Sequence, residues 1–145
     1  MYNSLTKQKD VLKPGLHAKD NTLTWYMCGP TVYDHSHLGH ARTYLGQDLM
    51  RRILEDYFGY NVYLVMNITD IDDKIIIKAK NEKKDFSEIS RLYETEFFKD
   101  MEQLNVRLPN AVTRVSEYTD EIVEFIKQII KNGYAYENKG SVYFN

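Results

Sequence analysis

The sequence contains a single cysteine in 145 residues. No internal disulfide can form, so packing and hydrogen bonds must hold the fold, and a reducing, cytoplasmic setting is the expectation. No apolar run approaches the roughly 20 residues that a helical membrane span requires, which argues against a membrane role. The N-terminal MYNSLTKQKD lacks the apolar core of a secretory signal. An excess of one charge is also missing: 19 basic against 21 acidic side chains leave a formal net charge of -2. Domains that grip nucleic acid over a broad face usually carry a basic excess. Any RNA contact must then come from local patches or from parts of a larger protein. Repeats and low-complexity runs are absent, and only three prolines and seven glycines punctuate the chain. What remains is 43% hydrophobic and 28% charged, ordinary globular composition and enough for one compact domain.

Residues 1–20 are polar, include Pro14 and Gly15, and read as a short strand or hairpin leading to the core. Thr24 to Tyr33 (TWYMCGPTVY) is β-rich and mostly apolar, the pattern of a buried strand, interrupted at Gly29-Pro30. From Leu38 the period changes. Leu38, Ala41, Leu45, Leu49, Ile53 and Tyr57 recur at three or four residues, which predicts one apolar stripe along a helix stopped by Gly59. Asn61 to Ile68 (NVYLVMNI) then reads as a strand buried on both faces. Strand, long helix and strand make a βαβ unit, the opening of a doubly wound sheet whose ligands lie outside the carboxyl ends of the strands. Both chemistry-rich segments, CGPTVYDHSHLGH and NITDIDD, fall at those ends.

The remainder reads as helical. Asp70 to about Lys83 opens on carboxylates and closes on lysines, complementing a helix dipole at both ends. Asp85 and Glu88 resemble a capping box before a helix with Ile89, Tyr93, Phe97 and Met101 on one stripe. A loop with Pro109 leads to a helix from about Ser116 to Asn132, with Ile122, Phe125, Ile126 and Ile129 as apolar positions and Gly133 as its stop. YAYENKGSVYFN carries a hairpin signal. Because the sequence stops within the second strand of that hairpin, truncation is expected.

The segment His35 to His40 (HSHLGH) joins a buried strand to a helix. A helix N-terminus presents unpaired N–H groups and partial positive charge, so it attracts phosphate. Gly39 lets a flat ligand approach closely, and imidazoles at 37 and 40 can donate to phosphate oxygens as charge builds in a transition state. Two other readings stand beside this one. H-x-H-x-x-H resembles the ligand signature of metallo-β-lactamase-like hydrolases, although Gly39 occupies the place of that motif's Asp, and the only other histidine is His17. A polar loop with unemployed histidines is the plainer alternative. For Cys28, a small buried hydrophobe is the ordinary reading of a lone strand cysteine. For Asp70, Asp72 and Asp73, capping and dipole effects explain the carboxylates better than a magnesium site does. Lys78 and Lys80 are candidates for contact with RNA.

CGPTVYDHSHLGHAR (Cys28 to Arg42) followed by MNITDIDDKI (Met66 to Ile75) resembles the cysteinyl-tRNA synthetases, with HLGH in place of the "HIGH" signature of class I aminoacyl-tRNA synthetases. The resemblance runs nearly end to end, through DYFGYNVYLVMNITDIDDK, LNVRLPNAVTRVSEY and NGYAYENKGSVYFN, and is nearest to eukaryotic cytoplasmic members. It implies an α/β, Rossmann-like (HUP-type) catalytic domain, with its N-terminal half and following helices over residues 1–104 and the start of a connective insertion over residues 105–145. It implies activation of L-cysteine by ATP, with Mg2+, to cysteinyl-adenylate, then transfer to tRNA(Cys). His37 and His40 would act on the phosphates, and Pro30, Thr31, His37, Leu38, Gly39 and His40 would hold ATP. Gly29 and Thr69 would touch cysteine, and Cys28 would be one of four Zn2+ ligands selecting the thiolate. Metal selection of a thiolate over a hydroxyl would remove the need for an editing site.

The chain departs from the family at "KIIK": it reads Lys74-Ile75-Ile76-Ile77, with lysine delayed to Lys78. The family's other zinc ligands, its KMSKS loop and its anticodon-binding region do not occur in this sequence, so the 145-residue chain is expected to be inactive alone. Two alternatives remain: an adenylating ligase that passes cysteine to an amino sugar, and a non-catalytic fragment acting as a binding or regulatory module.

Overall fold

The computed structural model describes residues 1–12 and 20–145. The readings placed on Pro14, Gly15 and His17 lie outside the described residues. Near the N-terminus, β1 (Tyr2–Asn3) and β2 (Gln8–Lys9) form a small antiparallel hairpin. The main sheet has three parallel strands in the order β3 (Thr22–Met27), β4 (Asn61–Ile68), β5 (Ala111–Arg114). Register runs from Thr22↔Asn61 to Met27↔Met66, and from Val65↔Ala111 to Ile68↔Arg114. The helices are α1 (Leu38–Arg52), α2 (Asp73–Glu82), α3 (Phe86–Gln103) and α4 (Thr119–Lys131), and β6 (Ala135–Asn138) with β7 (Ser141–Phe144) makes the expected hairpin. Its turn takes Lys139 and Gly140 to positive φ, the geometry that matches strand twist. The α/β class with a parallel sheet agrees with the sequence reading.

The sheet is buried on one face. On β4, Val62, Leu64, Met66 and Ile68 are buried whereas Tyr63 is 47% exposed, so the expectation of a strand covered on both sides is corrected. The buried set packs with Leu23 and Met27 of β3, Tyr44 and Leu54, Ile75 of α2, and Ile89, Tyr93, Phe97 and Met101 of α3. The α3 stripe is therefore as the spacing predicted. β3 begins earlier and ends sooner than expected, because the chain turns across the end of β4 at Gly29; only Thr31 regains a bridge, to Thr69.

The predicted stripe of α1 is not the core face. Leu38 is 84% exposed, Leu49 60% and Tyr57 81%, with Leu45 and Ile53 also exposed and Ala41 half-buried. Tyr44, Asp48 and Arg51 face inward instead. The reason is the irregular connection into β5, whose backbone groups need partners once covered. Asp48 accepts from Arg107 N at 2.9 Å, and Arg51 donates to Leu108 O at 2.8 Å and to Asn110 Oδ1 at 3.1 Å. Asn110 also bonds both ways with Leu64, through N–H to Leu64 O and through Oδ1 from Leu64 N, each at 2.8 Å. These contacts set β5 against β4, a strand that the sequence reading passed over as part of a loop.

Past Arg52 the helix relaxes into a π turn over Ile53–Tyr57, and Gly59 leaves it at φ +68°, the stop that was predicted. α2 starts at Asp73, not Asp70: Asp72 is its N-cap, accepting from Lys74 N at 2.8 Å. Asp70 is buried and is bonded to the backbone and hydroxyl of Ser116. Asp85 caps α3 through Ser87 N at 2.8 Å. α4 starts three residues late, after a 3-10 turn at Val115–Tyr118, and none of its residues is buried, so Ile122, Phe125, Ile126 and Ile129 form an open apolar face. Among the described residues, no helix is long and apolar enough to cross a membrane.

Candidate active site at the strand ends

His37 ends the loop in extended backbone and caps α1. Its Nδ1 accepts from Gly39 N at 3.0 Å, and the Nδ1 of His40 accepts in return from His37 N at 3.2 Å. This reciprocal box ordinarily uses Ser or Thr with Glu or Gln; here two imidazoles build it, their rings stacked 4.0 Å apart at 25°. An Nδ1 that accepts a backbone N–H carries no proton, so each neutral ring keeps its proton on Nε2. The helix terminus thus gains two ring donors beside its own free N–H groups. Burial, then the neighbouring His37, lowers the pKa of His40 below the ordinary imidazole value. Gly39 has a local reason to be glycine, because a Cβ there would meet His37 Cε1 at 2.7 Å. Leu38 projects into solvent. Beside His37, Ser36, Leu38, Ala41, Met101 and Leu104 line an open cleft of about 270 Å³.

The preceding loop is fastened from behind. Lys78 Nζ donates to Tyr93 Oη at 2.7 Å and to Asp34 Oδ1 at 3.2 Å, and lies 4.1 Å from the Tyr93 ring centroid. His35 packs edge-on against the same ring at 5.1 Å. The backbone N–H of His35, and then Lys78, hold the Asp34 carboxyl below its usual range. Desolvation opposes the Lys78 charge, but the bonds to Tyr93 and Asp34 outweigh it and raise its pKa. Lys78, expected as a possible RNA contact, is thus tied to the protein itself. Ile77, which breaks the family's "KIIK", is 59% exposed and leaves this latch untouched.

At the ends of β3 and β4 a second cluster forms. Gly29 crosses β4 so closely that a Cβ would fall 1.7 Å from Asn67 O. Thr69 N donates to Pro30 O at 3.1 Å, and Val32 N donates to Thr69 O at 3.2 Å. Pro30 is buried by this stitching, while Gly29, Thr31 and Thr69 remain half-buried. Cys28 is exposed, its Sγ 3.9 Å from Tyr26 Oη, and its carbonyl accepts from Tyr44 Oη at 3.2 Å. Burial, then Cys28, pushes the Tyr44 phenol up to about 12. The structure therefore gathers Cys28, Gly29, Thr31 and Thr69 at one strand-end cluster, and His37 with His40 at the helix start.

For zinc the donor set falls short. Among the described residues no group of three or more His, Cys, Asp or Glu side chains is placed to hold a metal ion, and one thiolate does not make a zinc site. The sequence reading also missed Tyr26, Asn67 and Asp34. For Asn67 there was a local signal, an amide interrupting an otherwise apolar strand end.

Comparison with known proteins decides the family. The family model described as "tRNA synthetases class I (C) catalytic domain" matches residues 15–145. The chain belongs to this family. It is 55% identical over 143 residues to "Cysteine–tRNA ligase, cytoplasmic" of Dictyostelium discoideum, covering 99% of this chain and 22% of that protein. It is 54% identical over 145 residues to the cysteine–tRNA ligase of Encephalitozoon cuniculi, covering 100% of this chain and 30% of the relative. The Pyrococcus furiosus cysteine–tRNA ligase is 46% identical over 144 residues, 99% of this chain and 29% of its own length. The chain thus spans between 22% and 30% of these relatives.

Proposed function

We propose that this chain supplies the front part of the active site of a cytoplasmic cysteine–tRNA ligase, which joins L-cysteine to ATP and then to tRNA(Cys). The observation that carries the reading is the histidine box on α1. With both Nδ1 atoms engaged by the backbone, two Nε2–H groups remain as preorganised donors at a helix N-terminus, where phosphate charge is favoured. His37 and His40 act on the phosphates of MgATP, and Pro30, Thr31, Leu38 and Gly39 complete the ATP subsite. A cysteine carboxylate oxygen attacks the α-phosphorus, the bond from that phosphorus to the bridging oxygen breaks, and pyrophosphate leaves with the displaced electron pair. Donors fixed in advance stabilise the charge that develops on those oxygens without reorganising.

Gly29 and Thr69 form the cysteine subsite. Cys28 fits a zinc role only as one ligand among several from outside the described residues; zinc there would bind the substrate thiolate. In this reading residues 105–145 open the connective insertion; α4 and the β6–β7 hairpin outside the main sheet support it, while Ala111–Arg114 pair with β4. The test is cysteine-dependent ATP–pyrophosphate exchange by the protein as its gene encodes it, followed by a choice of acceptor. Exchange with cysteine, little with serine, and esterification of tRNA(Cys) is the expected result. Transfer to an amino sugar, or no exchange, overturns the proposal.

A further inference from the structure

One side chain joins three pieces of the strand-end cluster, and it belongs to none of the residues given a role above. Asn67 Oδ1 accepts from Tyr26 Oη at 2.9 Å and from Gly29 N at 3.0 Å, while its Nδ2 donates to Thr69 Oγ1 at 3.3 Å. Three different pieces of the cluster, the end of β3, the crossover and the end of β4, therefore converge on one amide. An amide has one acceptor end and one donor end, and both are engaged. Its orientation is fixed by two donors on the oxygen, so the nitrogen must face Thr69. Thr69 Oγ1, accepting from that nitrogen, is left to donate its own proton elsewhere. The Gly29 N–H is drawn inward and held against the β4 backbone, where no side chain at 29 would fit. Tyr26 Oη, donating to Asn67, turns its lone pairs toward the Cys28 thiol.

We propose that Asn67 is a positioning residue for the amino-acid subsite: it fixes the outward donor of Thr69 and the path of the Cys28–Gly29 crossover. The assignment rests on the proposed function for its substrate, cysteine, but its structural half can be read without any reaction.

Two variants separate the two halves. Asn67→Ala removes every bond. Asn67→Asp keeps an oxygen for Tyr26 and Gly29 but faces Thr69 with a second acceptor, so the Thr69 hydroxyl must donate inward and its outward donor is lost. The first measurement is the alkylation rate of Cys28, followed on its own peptide by mass spectrometry, with thermal stability recorded in parallel. Loss of the tether raises that rate about fivefold in Asn67→Ala, whereas Asn67→Asp stays within about twofold, in line with the loss of one or two ordinary hydrogen bonds. An unchanged rate in Asn67→Ala overturns the assignment, whether or not the protein adenylates cysteine. The second measurement is steady-state pyrophosphate exchange. Both variants raise KM for cysteine at least tenfold and leave KM for ATP within about twofold, the pattern of a lost substrate contact. Parallel loss on both substrates, or a fall in kcat tracking thermal stability, marks Asn67 as merely structural and overturns the proposal. A wild-type protein without cysteine-dependent exchange overturns the proposed function instead, and the alkylation rates still decide the role of Asn67.

Discussion

The two glycines at the candidate site are under different constraints, and the difference is measurable. At Gly29 the obstacle to a side chain is the Asn67 carbonyl of the neighbouring strand, 1.7 Å from the ideal Cβ. Backbone in a parallel ladder cannot step aside, so Gly29→Ala must part the crossover from β4, at a cost of about 3 kcal/mol, the upper end for overpacking. At Gly39 the obstacle is the His37 ring, which can rotate away by giving up its cap bond. Gly39→Ala should then lose about 1 kcal/mol, the usual value of a cap. Denaturant midpoints of the two variants test the order, and equal losses would show that the crossover yields as easily as a side chain. The histidines and glycines were legible in the sequence because the helix start is local: cap, glycine and partner imidazole lie within four positions. The meeting of Asn67 with Tyr26 was not, because it joins residues 41 apart in sequence and depends on the register of β3 against β4.

α1 shows where periodicity misleads at the scale of an element. Spacing located the helix and its stop correctly but assigned the wrong face, since the inward positions are held by Asp48 and Arg51 serving the backbone of the β5 approach. Such a requirement is invisible to a pattern of apolar residues. Asp48→Ala should therefore destabilise by about 2 kcal/mol, leaving Arg107 N and Arg52 without their acceptor. Leu49→Ser, on the stripe that spacing put in the core, should stay within about 0.5 kcal/mol. Chemical denaturation of this chain decides, and the reverse order would restore the periodic reading. The same helix has a pH-sensitive start. The folded state lowers the His40 pKa, so between that value and the ordinary 6.5 or so the unfolded chain binds more protons. Stability from this group is fully present above about 6.5 and drains away as pH falls through the window. His40→Gln keeps an acceptor for His37 N without titrating. Unfolding curves on either side of the window should show a steeper acid loss in the wild type than in His40→Gln; equal slopes would remove His40 as the cause.

Across the whole molecule, the parallel sheet and its helices came through in the sequence because β4 and the α3 stripe are strong local patterns, while β5 escaped because four residues owe their strand to Asn110 and Arg51. Many large apolar side chains nevertheless stand exposed. Leu38, Leu45 and Leu49 stand out along α1 and Ile53 just past its end, and Ile122, Val123, Phe125 and Ile130 along α4, with Tyr136, Tyr143 and Phe144 on the hairpin. Among the described residues β3 also has no partner on its outer edge in the three-stranded sheet. Monomeric proteins seldom leave contiguous apolar patches beyond a few hundred Å² in water, and a bare strand edge adds backbone groups seeking partners. Taken alone, the 145-residue chain should therefore self-associate as concentration rises and bind an apolar dye, even with its net charge of -2 resisting assembly only weakly. Replacing Phe125 and Ile122 by aspartate removes part of the α4 surface without touching a buried side chain. Sedimentation velocity over a concentration series should move those variants toward monomer while their folded far-ultraviolet spectrum is kept. A wild-type chain that stays monomeric throughout, with no dye bound, would mean that these faces find cover within the chain itself, in an arrangement different from the one described.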